Sequence, residues 1–465
     1  MSGSGQILST MDEAGRRILL RPRPAPGRFQ RRRAVVGWGL IALFLVLPFV
    51  DIGGHPAFLI DLVRRELVIA GNVFRPTDGV VLMLLGLTVV LIVFFTTALF
   101  GRVWCGWACP QTVYMEFVFR PLERLLEGGI AGQRRLDGQT GWRPRRVLKY
   151  AVFAVLSVVV ANVFLAYFVG VARLGHWVRQ SPFTHPGGFL VMASVSALMF
   201  ADFAWFREQT CILACPYGRM QAMLIDRQSM VVGYDARRGE PRGKRGKSLP
   251  VIGEARSDRG DCVDCKACVT TCPTGIDIRE GLQMECINCA QCVDACDTIM
   301  DKLERPRGLI RYASQDQLAG KPRHLLRART FIYPILVAVA AGLLIWQAGD
   351  RPRADVWVMR TEGPGFVRID GGRVSSQLRL RIENRTGGTR HYTVALDDPR
   401  IEQVAPYAPV EIAAGATAVV PVVALVPAAT FSAGEHPVTV RVRDDAGWSR
   451  ELPATLMGPE REGSP

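Results

Sequence analysis

Eight cysteines between residues 262 and 296 are spaced as two copies of the pattern C-x2-C-x2-C-x3-C. Bacterial ferredoxins use this spacing to bind two [4Fe–4S] clusters. Three thiolates close together on a tight loop can surround one corner of a cubane cluster, whereas the fourth, carried into the following turn, points towards the other cluster. The spacing therefore predicts one cluster on Cys262, Cys265, Cys268 and Cys296, and a second on Cys272, Cys286, Cys289 and Cys292.

Two details qualify this motif. Pro273 follows the first copy, but Asp297 stands where the second copy would have its proline, so the loop geometry there is expected to differ while the ligand count stays the same. Two zinc ribbons would also use C-x2-C pairs. Zinc needs only two pairs per site, which would leave the third and fourth cysteine of each copy unexplained, so iron–sulfur clusters are predicted.

The remaining four cysteines form a second pair of matched motifs, each C-x3-C-P: Cys105, Cys109 and Pro110, then Cys211, Cys215 and Pro216. Spacing of four on a helix places both thiols on one face, and the following proline cannot continue the helical hydrogen bonds. Soft thiolates suit Cu(I), zinc or an iron–sulfur unit. We predict that these four cysteines meet at the membrane boundary and have a metal-binding or redox role. The alternatives are buried cysteines that only pack, and a dithiol–disulfide couple, for which a pair on one helix is poorly placed.

Other candidate residues carry weaker signals. His176 and His185 lie in one predicted outer loop and His55 in another, where they could bind a metal or a quinone headgroup, although loop histidines without a partner at ligand spacing are more often simply polar. Asp202 lies near the end of a predicted membrane span, where it could relay protons or reach the membrane interface.

The elements that must position these residues are mostly membrane helices. Hydrophobic residues make up 49% of a chain that also carries 57 Lys+Arg and a net charge of +15, so apolar and basic residues must be segregated. Five apolar stretches are long enough, or nearly so, to span a bilayer: residues 34–50, 80–100, 150–171, 188–206 and 331–348. No nucleic-acid-binding pattern accompanies the charge, and we predict membrane lipid rather than nucleic acid as its context.

Basic residues predict the orientation of these spans. They are concentrated before the first span, between the second and third, and between the fourth and fifth, whereas the other connections are poor in positive charge. The positive-inside rule therefore places the N-terminus and the cysteine-rich segment in the cytoplasm and the C-terminus outside. This gives a multi-pass protein of the bacterial inner membrane, and the reducing cytosol agrees with iron–sulfur chemistry.

After residue 350 the pattern changes to short alternating strands, as in residues 377–384, 392–396 and 436–443, which is typical of an immunoglobulin-like β-sandwich. The predicted fold class is thus a multi-domain membrane protein: an α-helical transmembrane bundle with an inserted cytoplasmic dicluster ferredoxin-like domain and a C-terminal all-β immunoglobulin-like sandwich. Residues 233–260 are predicted to be a flexible basic linker. The predicted domains are a basic N-terminal tail (1–33), a four-span region (34–232), a linker with a ferredoxin-like domain (233–330), a fifth span (331–348) and a periplasmic sandwich (349–465).

With these motifs placed, the chain resembles the cytochrome c oxidase accessory protein family of the CcoG/FixG type. The residues that carry the resemblance are 104–111, 211–219, the eight ferredoxin-type cysteines and 286–300. The resemblance implies a cupric reductase that helps to assemble the copper centre of cbb3-type cytochrome c oxidase. Its implied cofactors are two [4Fe–4S] clusters and a copper ion. Its implied partners are a cytosolic electron donor, a copper chaperone or exporter, and oxidase assembly factors.

The mechanism predicted on this basis is one-electron transfer from the cytosolic donor, by way of the clusters, to Cu(II) held near the four C-x3-C-P cysteines. Cys105, Cys109, Cys211 and Cys215 are then the catalytic, copper-binding residues. Two alternatives remain open from the sequence. The protein could be a quinol-linked electron conduit, with quinone near the outer histidines or Asp202. It could also be a non-catalytic assembly scaffold whose clusters only sense redox state.

Overall fold

The computed structural model describes residues 10–11, 16–75, 78–139, 141, 143–243, 260–322, 328–349, 352–359, 365–369 and 371–459. The chain divides into two compact units, Met1–Leu344 and Ile345–Pro465. The helices are α1 (Arg28–Val46), α2 (Gly79–Phe100), α3 (Val103–Trp107), α4 (Pro110–Tyr114), α5 (Arg120–Glu127), α6 (Gly129–Asp137), α7 (Pro144–Val169), α8 (Val171–Arg179), α9 (Pro186–Ala201), α10 (Pro216–Leu224), α11 (Ala236–Gly239), α12 (Ala267–Thr270), α13 (Gln291–Lys302), α14 (Gln315–Leu318) and α15 (Ala328–Gly349).

Five helical segments are long and apolar enough to cross a membrane: Arg28–Phe49, Gly79–Phe100, Pro144–Val169, Pro186–Phe206 and Ala328–Gly349. They match the five predicted stretches but begin up to six residues earlier. Prolines at the first helical positions of α7 and α9 explain the earlier starts there, because proline is favoured at that position. Large apolar side chains point away from the protein, such as Leu198, which is 70% exposed. The chain is therefore a multi-pass membrane protein.

The strands are β1 (Asp51–Ile52), β2 (His55–Pro56), β3 (Phe58–Asp61), β4 (Glu66–Ile69), β5 (Asn72–Phe74), β6 (Val231–Tyr234), β7 (Ile310–Ala313), β8 (Ala354–Met359), β9 (Phe366–Ile369), β10 (Arg373–Asn384), β11 (Arg390–Leu396), β12 (Glu402–Ala405), β13 (Val410–Ile412), β14 (Thr417–Pro427), β15 (Glu435–Asp444) and β16 (Ser449–Met457). Strands β1–β5 form two small sheets between α1 and α2. The sequence did not reveal these sheets, because their strands are too short to show an alternating pattern.

One end of the helical bundle meets the cysteine-rich segment. Phe29 at the start of α1 contacts Tyr312 of β7 with ring centroids 5.4 Å apart. Gly101, which follows α2, lies against Asn288. Arg329 at the start of α15 donates to the carbonyl of Leu224 in α10 at 3.3 Å. The membrane helices and the ferredoxin-like segment consequently fold as parts of one unit.

The prediction of a flexible linker at 233–260 is wrong for its first part. Residues 231–234 form β6, which pairs antiparallel with β7, and α11 follows. Asp235 caps α11 by accepting a hydrogen bond from the backbone of Arg238. The many basic residues that follow led the sequence analysis to interpret this short strand and helix as part of a flexible linker. Residues 244–259 of the predicted linker lie outside the described residues.

The C-terminal unit is a two-sheet sandwich, as predicted. One sheet has the order β12-β14-β10-β8, with β9 also paired to β10, and the other has the order β13-β11-β15-β16. Alternate residues fill the core: Leu380 of β10 is opposite Val420 of β14, and both are buried. Period-two burial of apolar side chains is what holds such a sandwich together.

Candidate iron–sulfur and thiol site

The eight ferredoxin-type cysteines form two groups that cross over between the motif copies. The distal group is Cys262, Cys265, Cys268 and Cys296, where the Cys296 thiol interacts electrostatically with the other three. The proximal group is Cys272, Cys286, Cys289 and Cys292, which interact in the same way. These four thiols line one cavity, and Cys268 of the distal group also borders it. Each group supplies four converging thiols, the set that a [4Fe–4S] cluster requires. Burial raises the pKa of Cys296 and of Cys286 to about 12, so cluster binding must displace protons.

The two ligand loops share a backbone shape. Asp264 and Lys266 on either side of Cys265 have left-handed φ values of 52° and 54°, and Asn288 and Ala290 on either side of Cys289 have 53° and 58°. Such values cost energy in most residues and mark sites that the surrounding structure enforces. Alternating handedness bends each loop around the space between its thiols.

The crossed grouping predicts which pairs of substitutions have additive effects on the iron content. Cys296→Ser alone and Cys296→Ser combined with Cys265→Ser should each remove about four iron atoms per chain, because both residues serve one cluster. Combining Cys296→Ser with Cys286→Ser should remove about eight. Iron and acid-labile sulfide analysis of anaerobically purified protein measures this. A loss of about eight from the pair Cys296 and Cys265 would contradict the crossed grouping.

Asp297, which replaces the expected proline, has a structural role. Without a proline, α13 runs on to Lys302. The Asp297 carboxylate accepts from the backbone N–H of Gly308 at 3.0 Å and pairs with Arg28 at 3.4 Å. The departure from the motif thus connects the helix to the turn before β7 and to the start of α1.

The C-x3-C-P motifs do not lie on continuous helices, which corrects the prediction that each pair shares one helical face. Helix α3 ends at Trp107, and Cys109 has φ −61° and ψ 125° before α4 begins at Pro110. Cys215 has φ −77° and ψ 109° before α10 begins at Pro216. The physical reason is that the helical region is sterically disfavoured for a residue before proline.

The structure nevertheless brings the four thiols together. Cys211 interacts electrostatically with Cys105, Cys109 and Cys215, and Cys105 interacts with Cys109 and Cys215. We call these four residues the boundary group. Burial raises the pKa of Cys105 to about 11 and that of Cys211 to about 12. Within the described residues, which include all twelve cysteines, no group of three or more His, Cys, Asp or Glu is arranged to hold a single metal ion.

The boundary group lies directly against the proximal group. Cys105 packs with Cys289 and Ile287 in one buried cluster. A Cβ atom on Gly106 would lie 2.4 Å from the carbonyl oxygen of Ile287 and 2.9 Å from the backbone nitrogen of Cys289, so only glycine fits. No sequence signal marked Gly106, because its constraint comes from residues about 180 positions away.

Hydrogen bonds fix the position of the boundary group relative to the proximal group. The indole of Trp107 donates to the Tyr312 hydroxyl at 3.1 Å, and that hydroxyl donates to the carbonyl of Asn288 at 2.5 Å. Arg102 donates to the carbonyl of Met284 and to Gln221. Cys105 in turn donates to Gln221 at 3.1 Å. The proximal ligand loop, the first C-x3-C-P motif and α10 therefore share one set of contacts.

A buried ion network follows the first C-x3-C-P motif. Glu116, Arg120, Glu123 and Glu127 are spaced to share one helical face and are all buried. Their partners include Arg207 at 2.5 Å and Arg21 at 2.7 Å from Glu123, Lys149 at 2.7 Å from Glu127, and Glu208 at 3.4 Å from Arg120. The sequence analysis missed this network, although charges at intervals of four, three and four beside a membrane span were a readable signal.

The described part of the basic N-terminal tail is bound to the ferredoxin-like segment. The backbone of Arg23 exchanges hydrogen bonds with Thr270 and Thr271 at 2.9 and 2.7 Å. The Asp294 carboxylate accepts from the backbone N–H groups of Phe29 and Gln30 at 3.2 and 2.7 Å, which caps α1 from α13. The tail residues therefore have a structural role in addition to the membrane orientation that their charges predict.

The loop histidines His176 and His185 lie far from Asp202. The rings of His176 and His185 lie 6.5 Å apart, and His185 helps to line a cavity of about 200 Å³ between α8 and α9. This cavity lies at the opposite end of the fourth span from Cys211, about 30 Å away at 1.5 Å per residue. Asp202 lies beside the boundary group, where it accepts from Gln111 at 3.1 Å and interacts with Cys211.

Comparisons with known proteins cover both units. Residues 206–315 match a family described as a 4Fe-4S dicluster domain, residues 82–128 a 4Fe-4S binding domain, and residues 344–459 an IG-like fold at the C-terminal of FixG. Protein RdxA of Cereibacter sphaeroides is 36% identical over 92% of this chain and 93% of its own. The nitrogen fixation protein FixG of Rhizobium meliloti is 30% identical over 85% of this chain and 82% of its own.

Among solved structures, a FixG-related protein from Vibrio parahaemolyticus matches with 11% identity and a TM-score of 0.20, covering 23% of this chain and 98% of that one. The family matches confirm the predicted iron–sulfur clusters and the immunoglobulin-like sandwich. The ligand sets of the individual clusters stay predictions.

Proposed function

Because this chain belongs to the FixG family of membrane iron–sulfur proteins, we propose that it is an oxidoreductase that reduces Cu(II) to Cu(I) at the boundary group. The observation that carries the proposal is the packing of Cys105 against Cys289. Iron–sulfur clusters, when bound, supply one-electron redox chemistry. The contact leaves no solvent gap between a predicted cluster ligand and the C-x3-C-P thiols, so electrons have a short path between them.

Electrons enter at the other side of the ferredoxin-like segment. Among the twelve cysteines, all of which the structure describes, Cys265 alone is exposed. A cytosolic one-electron donor reaches the distal group there, whereas the proximal group is screened by the bundle. Electrons therefore flow from Cys265 towards Cys105, because the donor can reach only the distal group. It agrees with a cytoplasmic ferredoxin-like segment and a periplasmic C-terminal unit in the bacterial inner membrane.

Copper acts as substrate in this proposal. Sulfur-rich surroundings favour the softer Cu(I) over Cu(II), so a copper ion beside the boundary group is easier to reduce. Each Cu(II) takes one electron and becomes Cu(I). A copper chaperone or exporter then receives Cu(I) for the copper centre of cbb3-type cytochrome c oxidase, with the assembly factors of that enzyme as further partners.

The test measures both the electrons lost by the clusters and the Cu(I) that is formed. Anaerobically reduced full-length protein is mixed with Cu(II), and bleaching of the reduced-cluster absorbance is recorded with capture of Cu(I) by a chromogenic chelator. We expect about one Cu(I) per electron lost. The variant with Cys105, Cys109, Cys211 and Cys215 changed to serine should lose this reaction.

The control is His185→Ala, which alters the outer cavity and should leave copper reduction unchanged. Clusters that stay reduced with Cu(II) but are oxidised by a quinone would overturn the proposal in favour of a quinone-linked conduit. Unchanged copper reduction in the four-serine variant would remove the boundary group from the mechanism.

A further inference from the structure

We propose that the boundary group holds a third [4Fe–4S] cluster, so that the twelve cysteines of the chain serve three clusters of four ligands each. The inference goes beyond the proposed function by assigning these thiols a resident centre. Cu(II) remains the substrate and receives its electron beside that centre. The ligands come from two segments about a hundred residues apart, Cys105 with Cys109 and Cys211 with Cys215.

The first argument is the geometry of the thiols. A single zinc or copper ion bound by thiolates needs every sulfur at about 2.3 Å from one point. The described residues contain no group arranged in that way, yet all four boundary thiols interact with one another. In a cubane each sulfur binds a different iron, so the sulfurs stand further apart. The distal and proximal groups, which lie within the match to a known dicluster family, likewise contain no arrangement for a single metal ion.

The second argument is the division of the cysteines between the family matches. The 4Fe-4S binding match at 82–128 contains two cysteines, Cys105 and Cys109, too few for a cluster. The dicluster match at 206–315 contains ten, two more than its clusters need. The two surplus residues are Cys211 and Cys215, and the structure places them beside the incomplete pair. Three complete ligand sets result.

The third argument is the polar surroundings of the boundary group. Four thiolates around a cluster carry a net negative charge, which must be compensated when buried. Arg102, which is only 6% exposed, interacts electrostatically with Cys105. The backbone N–H groups of Gln111 and Thr112, at the start of the helical segment after Cys109, hydrogen-bond to the Cys109 thiol. Hydrogen bonds to ligand sulfurs of this kind tune iron–sulfur centres.

The test counts iron without using copper, so its outcome is independent of the proposed function. Full-length protein purified anaerobically should contain about twelve iron and about twelve sulfide per chain. Cys105→Ser and Cys215→Ser should each lower the iron content by about four, and the double variant should lose no more than either alone. Combining Cys105→Ser with Cys286→Ser, a proximal-group change, should remove about eight.

A second measurement keeps the proposal falsifiable if these variants fold poorly. Electron paramagnetic resonance of the dithionite-reduced wild type should integrate to about three spins per chain, with broadening from neighbouring centres. A wild type with about eight iron and about two spins, and no loss in Cys105→Ser, would overturn the third cluster. So would one tightly bound copper per chain that is lost in Cys105→Ser while the iron stays unchanged.

Discussion

Replacing Gly106 by alanine is expected to slow electron delivery to the boundary group by about tenfold or more, while leaving the iron content of the ferredoxin-like segment unchanged. The added methyl group would meet backbone atoms of Ile287 and Cys289 at 2.4 and 2.9 Å. Backbone cannot swing aside as a flexible side chain can, so the cluster loop or α3 must move. Displacements of about 1 Å between reacting groups can cost about a hundredfold in rate.

Stopped-flow mixing of reduced protein with Cu(II) measures this rate. The matched control is Gly86→Ala, since Gly86 is also a helical glycine but has nothing within 4 Å of the position that a methyl group would take. Gly86→Ala should keep the wild-type rate. Equal rates for the wild type and Gly106→Ala would show that the contact between Gly106 and the cluster loop does not limit electron delivery.

Replacing Glu123 by glutamine is expected to lower the free energy of unfolding of the membrane unit by about 3 kcal/mol or more. The substitution leaves the buried Arg207 and the partly buried Arg21 without their shared carboxylate, and breaking a buried ion pair from one side costs about 3–5 kcal/mol. Thermal unfolding in detergent, followed by loss of cluster absorbance, measures the change. The control Asp301→Asn removes an exposed pair with Arg307 and should leave the free energy of unfolding nearly unchanged, because solvent screens such pairs.

The same residue predicts an acid dependence. Burial alone would raise the pKa of Glu123, but the guanidinium groups of Arg207 and Arg21 and the ammonium of Lys149 lower it to about 2 from a usual value of 4.5. A lowered folded-state pKa means that the stabilisation is complete above about 4.5 and is lost as the pH falls towards 2. Between about pH 4.5 and about pH 3 the wild type should lose more stability than Glu123→Gln. Parallel losses in the two proteins would contradict this role of Glu123.

Sequence patterns that extend over many residues were sufficient for the large elements. Runs of about twenty apolar residues gave the five spans, and period-two alternation gave the core strands of the sandwich, because each pattern is enforced by an extended solvent boundary. The cysteine spacings gave the candidate ligands for a similar reason. A cluster fixes the positions of its ligands, so cysteines on one ligand loop recur at fixed intervals in the sequence.

Features that depend on contacts between distant segments could not be predicted. The helix break at Cys109 follows from its proline and was within reach of the sequence, but the fit of Gly106 against Ile287 was not, because nothing local distinguishes it from other helical glycines. The β6–β7 pair was hidden in the same way. Its first strand has four residues at the edge of a basic stretch, and only its partner at 310–313 completes it.

The cap that Asp294 provides for α1 also orders the biosynthesis of the protein. The two capped residues, Phe29 and Gln30, leave the ribosome more than 260 residues before the carboxylate that binds them. The first span must therefore enter the membrane with its N-terminal N–H groups bound to water. The ferredoxin-like segment can close over the bundle only when translation has passed residue 294, after all twelve cysteines except Cys296 have been made. Until then both ligand loops lack this contact with the bundle, and docking onto α1 becomes a late step of folding.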